Sequence, residues 1–210
     1  MATAITGRVL VVVEGKDDVG LIEHLAKLLG IQGVQAISAG SASGYVNEVS
    51  AIVKSPQFRD SVTALGLVRE TDVHASREDA LKSACDALER AGLSRPPLEP
   101  PYVAEGAPRT AVLLIPCGGG RGCMEDDCLS AAGESHPEEL RCADDYFDCL
   151  DTKSVPRPKH MSKARLQVFL ASRPETSSSL SVAAQKGYIP LDGSAFEDMR
   201  DFLRRLAEGG

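Results

Sequence analysis

The sequence predicts an α/β protein built on a mostly parallel sheet of about four strands flanked by helices. Short aliphatic runs, Val9 to Val13 and Ala111 to Ile115 among them, show no polar alternation, which marks strands buried on both faces. Between the runs lie segments whose apolar residues recur at helical spacing. Strands joined by helical crossovers pair in parallel, because a tight hairpin joins only antiparallel neighbours.

The elements follow in order. Val9-Leu10-Val11-Val12-Val13 is the first strand, and Val19 to Leu29 places Leu21, Ile22, Leu25, Leu28 and Leu29 on a helix that Gly30 stops. Val34 to Ser38 is a short second strand, after which Gly40 to Gly44 turns into a helix carrying Val46, Val49, Ile52 and Val53. Val62 to Val68 is the third strand. Ser76, with Asp79 three residues on, reads as the cap of a helix whose apolar face is Leu81, Ala84, Cys85, Leu88 and Ala91. Prolines 96, 97, 100, 101 and 108 forbid regular structure between Leu93 and Arg109. Ala111 to Ile115 is the fourth strand, closed by Pro116 and the glycines of 118–122. Cys123 to Ala132, Glu138 to Leu150, Lys163 to Ala171 and Phe196 to Leu206 read as helices, with a break at Val155 to Pro158. One domain is expected over residues 1–210, with a core at 1–132 and a helical C-terminal extension at 133–210.

Composition limits the function. Of 210 residues 43% are hydrophobic but only 4% aromatic, so the core is aliphatic. A chain of this length buries roughly 70% of its unfolded surface. Neither a metal nor disulfides are then needed for stability, and a bound metal would be functional. The net charge of −7 excludes a protein that binds nucleic acid through its overall field, since phosphate binding needs clustered Lys and Arg. Six cysteines without a secretory segment fit a reduced chain better than a stapled scaffold, and no Cys-x-x-Cys pair offers a zinc knuckle. Nothing approaches the roughly 20 apolar residues of a membrane span. A cytoplasmic protein with no membrane attachment is expected.

Acids cluster where the strands end. Glu14 and Asp18 follow the first, Glu70 and Asp72 the third, and Glu125, Asp126 and Asp127 the fourth. Parallel strands bring their carboxyl ends together, and ligands of open α/β sheets sit outside those ends. Hard cations such as Mg²⁺ or Mn²⁺ take oxygen ligands, commonly one or two carboxylates plus substrate phosphates. The same acids also favour helix starts by interacting with the helix dipole. The glycines of 118–122 lack a Gly-Lys-Ser/Thr ending, so a tight turn is read there rather than a nucleotide loop.

A strand followed by Glu14-Gly15-x-x-Asp18, then a later strand followed by Glu70-Thr71-Asp72, resembles the Toprim domain of topoisomerases, primases and the overcoming-lysogenization-defect nucleases. The whole layout is similar to small stand-alone Toprim-like bacterial and phage proteins, including Ile115-Pro116 to Gly122, Met124-Glu125-Asp126 and Lys163-Ala164-Arg165. The resemblance implies that Glu14 is the general acid or base, that Asp72 with Glu70 holds the metal, and that Asp18 orients the loop or supports the ion. The family generally carries Asp where this chain has Glu70, one methylene longer.

The candidate metal ligands are therefore Glu14, Asp18, Glu70, Asp72 and Glu125. Lys153, Arg157, Lys159, Lys163, Arg165 and Arg173 form a basic strip containing no acid. Lys159, Lys163 and Arg165 are its candidate nucleic-acid contacts, with Lys163 also catalytic by offsetting charge at phosphorus. The alternative is a solvated face balanced by the acids from Asp144 to Asp151. His74 lies near Asp72 and is read as solvent-exposed. The expected function is Mg²⁺-dependent phosphodiester chemistry on nucleic acid, as a nuclease or related phosphotransferase. One alternative is a non-catalytic Toprim-like module that binds metal or nucleotide and acts through a protein partner or a second copy. A phosphohydrolase or response-regulator-like domain also fits acids at strand ends.

Overall fold

The computed structural model describes residues 4–40, 44–72, 74–176 and 179–208. Its strands are β1 (Val9–Val13), β2 (Val34–Ser38), β3 (Ala64–Glu70), β4 (Val103–Ala104) and β5 (Arg109–Ile115). The helices are α1 (Lys16–Leu28), α2 (Tyr45–Lys54), α3 (Pro56–Ser61), α4 (Arg77–Arg90), α5 (Met124–Ser135), α6 (Pro137–Thr152), α7 (Met161–Ala171), α8 (Leu180–Gln185) and α9 (Glu197–Ala207), the last entered through a 3₁₀ turn at Ser194–Phe196. The sheet order is β2-β1-β3-β5-β4. All neighbours are parallel except β4, which pairs antiparallel with β5 through Val103 opposite Ala111 and Ala104 opposite Thr110.

Alternation along the buried strands sorts the core into two layers. Val9, Val11, Val13, Val68, Ala111 and Ile115 face α1, α5, α7, α8 and α9. Leu10, Val12, Leu65, Leu67, Val112 and Leu114 face α2, α3 and α4. The helices after residue 133 thus share one layer with α1 and α5, supplying Leu166, Phe169, Leu180, Met199, Phe202 and Leu203 to it. Gly66 admits α9 there, because a Cβ would stand 2.5 Å from Phe202 Cζ and 2.6 Å from Leu206 Cδ2.

Helix starts match local chemistry. Ser76 Oγ accepts from the Asp79 N–H at 3.1 Å, and Ser55 Oγ from the Phe58 N–H at 3.2 Å with Pro56 opening α3. Four elements depart from the sequence reading. The proline-rich segment does contain a strand, the two-residue β4, which is tolerated because it is an edge strand free of proline itself. The helices α3 and α8, of six residues each, are too short to display a helical period. Finally, β3 runs two residues further than expected, so Glu70 is its last residue rather than part of the loop. No helix among the described residues is long and apolar enough to cross a membrane.

Candidate functional site

After β1 the chain turns to one face of the sheet through α1; after β3 it turns to the other through α4. That divergence opens a crevice between the carboxyl ends of neighbouring strands, the place where open α/β sheets bind ligands. A cavity of about 540 Å³ lies there. Its lining brings together Glu14, Asp18, Glu70, Asp72, Glu125 and Lys163, and adds Lys16, Arg121, Asp126 and His160. Lys159 and Arg165 do not line it.

Glu14 continues the alternation of β1 past Val13 and is 6% exposed. Its Oε1 accepts from Arg69 Nη1 at 2.6 Å and from the Glu70 N–H at 3.1 Å. Arg69, 3% exposed, follows the apolar part of β3 and precedes its last residue, Glu70. Its guanidinium carbon lies 4.4 Å from the ring centroid of Tyr45, a cation–π contact. The Tyr45 hydroxyl is in turn placed between the Val12 and Val68 carbonyls at 3.0 and 3.1 Å, seaming β1 to β3. Burial pushes the Glu14 carboxyl up from its ordinary value, while Arg69 pulls it back.

Glu70 points to the opposite layer, where its Oε1 accepts weakly from the Met124 N–H at 3.4 Å. Burial, with the charges of Asp18 and Glu14 next in importance, pushes its pKa up to about 8. Asp18 is 5% exposed and its carboxylate accepts from the Gly15 N–H at 2.9 Å, closing the first turn of α1. Burial raises its pKa to about 6, partly offset by that hydrogen bond. These acids are desolvated and mutually repelling, a state that an added cation relieves.

The loop after β5 shapes the far wall. Thr71 Oγ1 donates to the Ile115 carbonyl at 3.0 Å and accepts from the Gly122 N–H at 3.0 Å, and the Asp72 N–H donates to the Gly122 carbonyl at 3.1 Å. Arg121 donates to the Asp72 carbonyl at 2.7 Å. Gly119 and Gly120, at φ +92° and +76°, make the tight turn expected of this cluster. Asp127, expected with its two neighbours, instead lies under that loop, accepting from the Cys117 N–H at 2.8 Å; burial raises its pKa to about 7.

The basic strip divides. Lys163 Nζ lies 3.9 Å from Glu125 Oε1 at the cavity. Arg165 is held in a two-pronged pair by Asp144 at 2.6 and 2.8 Å, Arg157 is paired with Asp148 and Asp151, and Arg173 with Glu139. Arg165, one of the expected nucleic-acid contacts, therefore sits in an ion pair with α6 away from the cavity. His74 is half-buried, not exposed, and stands outside the cavity lining.

Every carboxylate here is a hard oxygen donor, the chemistry that Mg²⁺ and Mn²⁺ prefer. The donor set fits such an ion by type. As the side chains stand, however, no group of three His, Cys, Asp or Glu among the described residues is arranged to hold one. Sequence reasoning missed Arg69, Tyr45, Arg121 and His160. Arg69 alone left a signal, being a charge directly after a buried apolar run.

A family described as "Protein of unknown function (DUF3226)" matches residues 8–208. The chain belongs to the DUF3226 family. No curated protein matches this family member. Among solved structures it is similar to the C-terminal region of the Burkholderia pseudomallei OLD protein, with 13% identity, a TM-score of 0.41, and coverage of 97% of this chain and 96% of that one.

Proposed function

We propose that this protein binds Mg²⁺ or Mn²⁺ in the acidic cavity and acts on phosphodiester bonds of nucleic acid. One observation carries the reading: carboxylates from the ends of β1 and β3 and the start of α5 meet at a single cavity, with Lys163 on its wall. Glu14, Asp18, Glu70, Asp72 and Glu125 are the oxygen donors available to the ion, which when bound would stabilise charge on the attacking and leaving oxygens. Lys163 and Arg121 orient the phosphate and offset its negative charge. Glu14, whose burial favours holding a proton, transfers one at the reacting oxygen.

A second reading is a metal- or nucleotide-binding module that signals to a partner and cuts nothing. The engagement of Glu14 Oε1 by Arg69 and the Glu70 N–H favours it, since an acid so held is a poor proton carrier. The test is incubation of the purified protein with linear DNA and RNA in Mg²⁺ or Mn²⁺. The first reading expects cleavage that a chelator abolishes and that Asp72→Ala reduces about 100-fold or more. Intact nucleic acid for wild type and variant alike, with Mn²⁺ bound, selects the module.

A further inference from the structure

Of the 16 residues of α6 only Ala143 and Phe147 are buried. Along one flank Asp144, Asp148 and Asp151 are taken up by Arg165 and Arg157. The opposite flank is built differently. Cys142, Tyr146 and Cys149 recur there at helical spacing and are all exposed, with Glu138 one turn before them and Lys153 one turn after. Tyr146 is 50% exposed, and Val155, tied back to the end of the helix by its N–H on the Leu150 carbonyl at 3.0 Å, is 45% exposed. The other large exposed hydrophobics of the described residues, Leu28 and Leu98, lie on separate segments. Among the described residues Lys153 and Asp145 enter no ion pair, and Glu138 pairs only with Arg141 of the same helix.

A helix face with an acid at its start, a base at its end and an uncharged stripe between them is complementary to itself when reversed. With a two-fold axis beside Tyr146, Glu138 of each copy comes opposite Lys153 of the other, and Cys142 opposite Cys149. A parallel arrangement would set acid on acid and base on base, and would align the two helix dipoles instead of opposing them. We infer that the Cys142, Tyr146 and Cys149 face of α6 is the contact between two copies of this chain, packed antiparallel. The inference is independent of the metal reading above. A single helix about 24 Å long makes a contact at the small end of specific interfaces, so the pair dissociates readily.

Two turns of helix separate Cys142 from Cys149, about 10.5 Å, which is more than the roughly 7 Å that a disulfide spans between Cα atoms, so the two cannot join within one chain. Full-length protein is treated with diamide, which takes up the two electrons and two protons released as two thiols form one disulfide. A linked dimer is expected on a non-reducing gel, and Cys142→Ser or Cys149→Ser alone abolishes it, because each thiol has only the other type as its partner. A parallel contact would keep a link in both single variants. Analytical ultracentrifugation reads the same contact without oxidation. Wild type is expected as a reversible dimer and Tyr146→Asp as a monomer whose thermal melt is unchanged, since that side chain stands half in water. Lys153→Glu weakens association about tenfold, and adding Glu138→Lys restores it. A monomeric wild type, which would leave the face to a different protein, overturns the inference; so does a dimer that Tyr146→Asp leaves intact. A cross-link that survives either cysteine variant, or a charge swap that gives no rescue, overturns the antiparallel arrangement.

Discussion

The carboxylates of the cavity and those of α6 have the same chemistry and opposite surroundings. On α6, Asp144, Asp148, Asp151 and Glu139 each meet an arginine, and Asp151 is held below its ordinary carboxylate range by Arg157. At the cavity, Glu70 is pushed up to about 8 and Asp18 to about 6, because burial and neighbouring acids outweigh the few donors that reach them. Charge that is paired at an exposed helix face contributes solubility and little else. Charge that is gathered and desolvated costs stability, and groups so perturbed cluster at functional sites.

The largest effect expected from this contrast is at Glu70, which lies among the most repelling neighbours. Glu70→Gln should lower Mn²⁺ affinity about 100-fold, measured by calorimetric titration, and at the same time raise the melting temperature of the metal-free protein at pH 8. A substitution that merely damaged the fold would lower both. If Glu70→Gln left Mn²⁺ affinity unchanged, the cavity acids would be no different in kind from those of α6.

Next in size is the pH dependence of stability without metal. Glu70, Asp127 and Asp18 have pKa values raised to about 8, 7 and 6, against 4.5 for an ordinary Glu and 3.8 for an ordinary Asp. Between the ordinary and raised values the folded chain keeps protons that the unfolded chain has lost. Stability is then fully present below about pH 4 and is lost as pH rises through 6, 7 and 8. Thermal melts should show a fall on the order of 10 °C between pH 5 and pH 8, with Mn²⁺ flattening the profile most at the alkaline end. A melting temperature that rises over that interval would contradict the account of the cavity.

The smallest effects separate two residues of α7. Lys163→Ala should weaken nucleic-acid binding about tenfold and reduce its salt dependence. Arg165→Ala should leave that binding unchanged and cost about 0.2–1 kcal/mol of stability through loss of its pair with Asp144. Equal losses of binding in fluorescence anisotropy would show that the basic strip acts as a unit.

Much of the frame was legible in the sequence because it depends on local pattern. The unbroken run Val9 to Val13 could only be a strand covered on both sides, and Ser76 with Asp79 marked a helix start that the structure places at Arg77. Elements of two to six residues, β4, α3 and α8, left too little periodicity to be read. At the site, Glu14, Asp18, Glu70, Asp72 and Glu125 were visible as acids at strand or helix ends. The direction in which each one points was not. Asp127 stood two residues after Glu125 in the chain, yet the rotation of α5 over those two residues carried it under the Cys117 loop.

The sequence by itself determined where strands and helices form and which acids stand at strand ends, since both follow from residues within a turn or two of one another. Only the tertiary structure decided which charges meet. Glu14 and Arg69 are 55 residues apart and 2.6 Å from contact atom to contact atom, and Arg165 finds Asp144 rather than the cavity. Electrostatic interaction depends on distance through space and on burial, and both are set only when the β1, β3, α6 and α7 segments pack together.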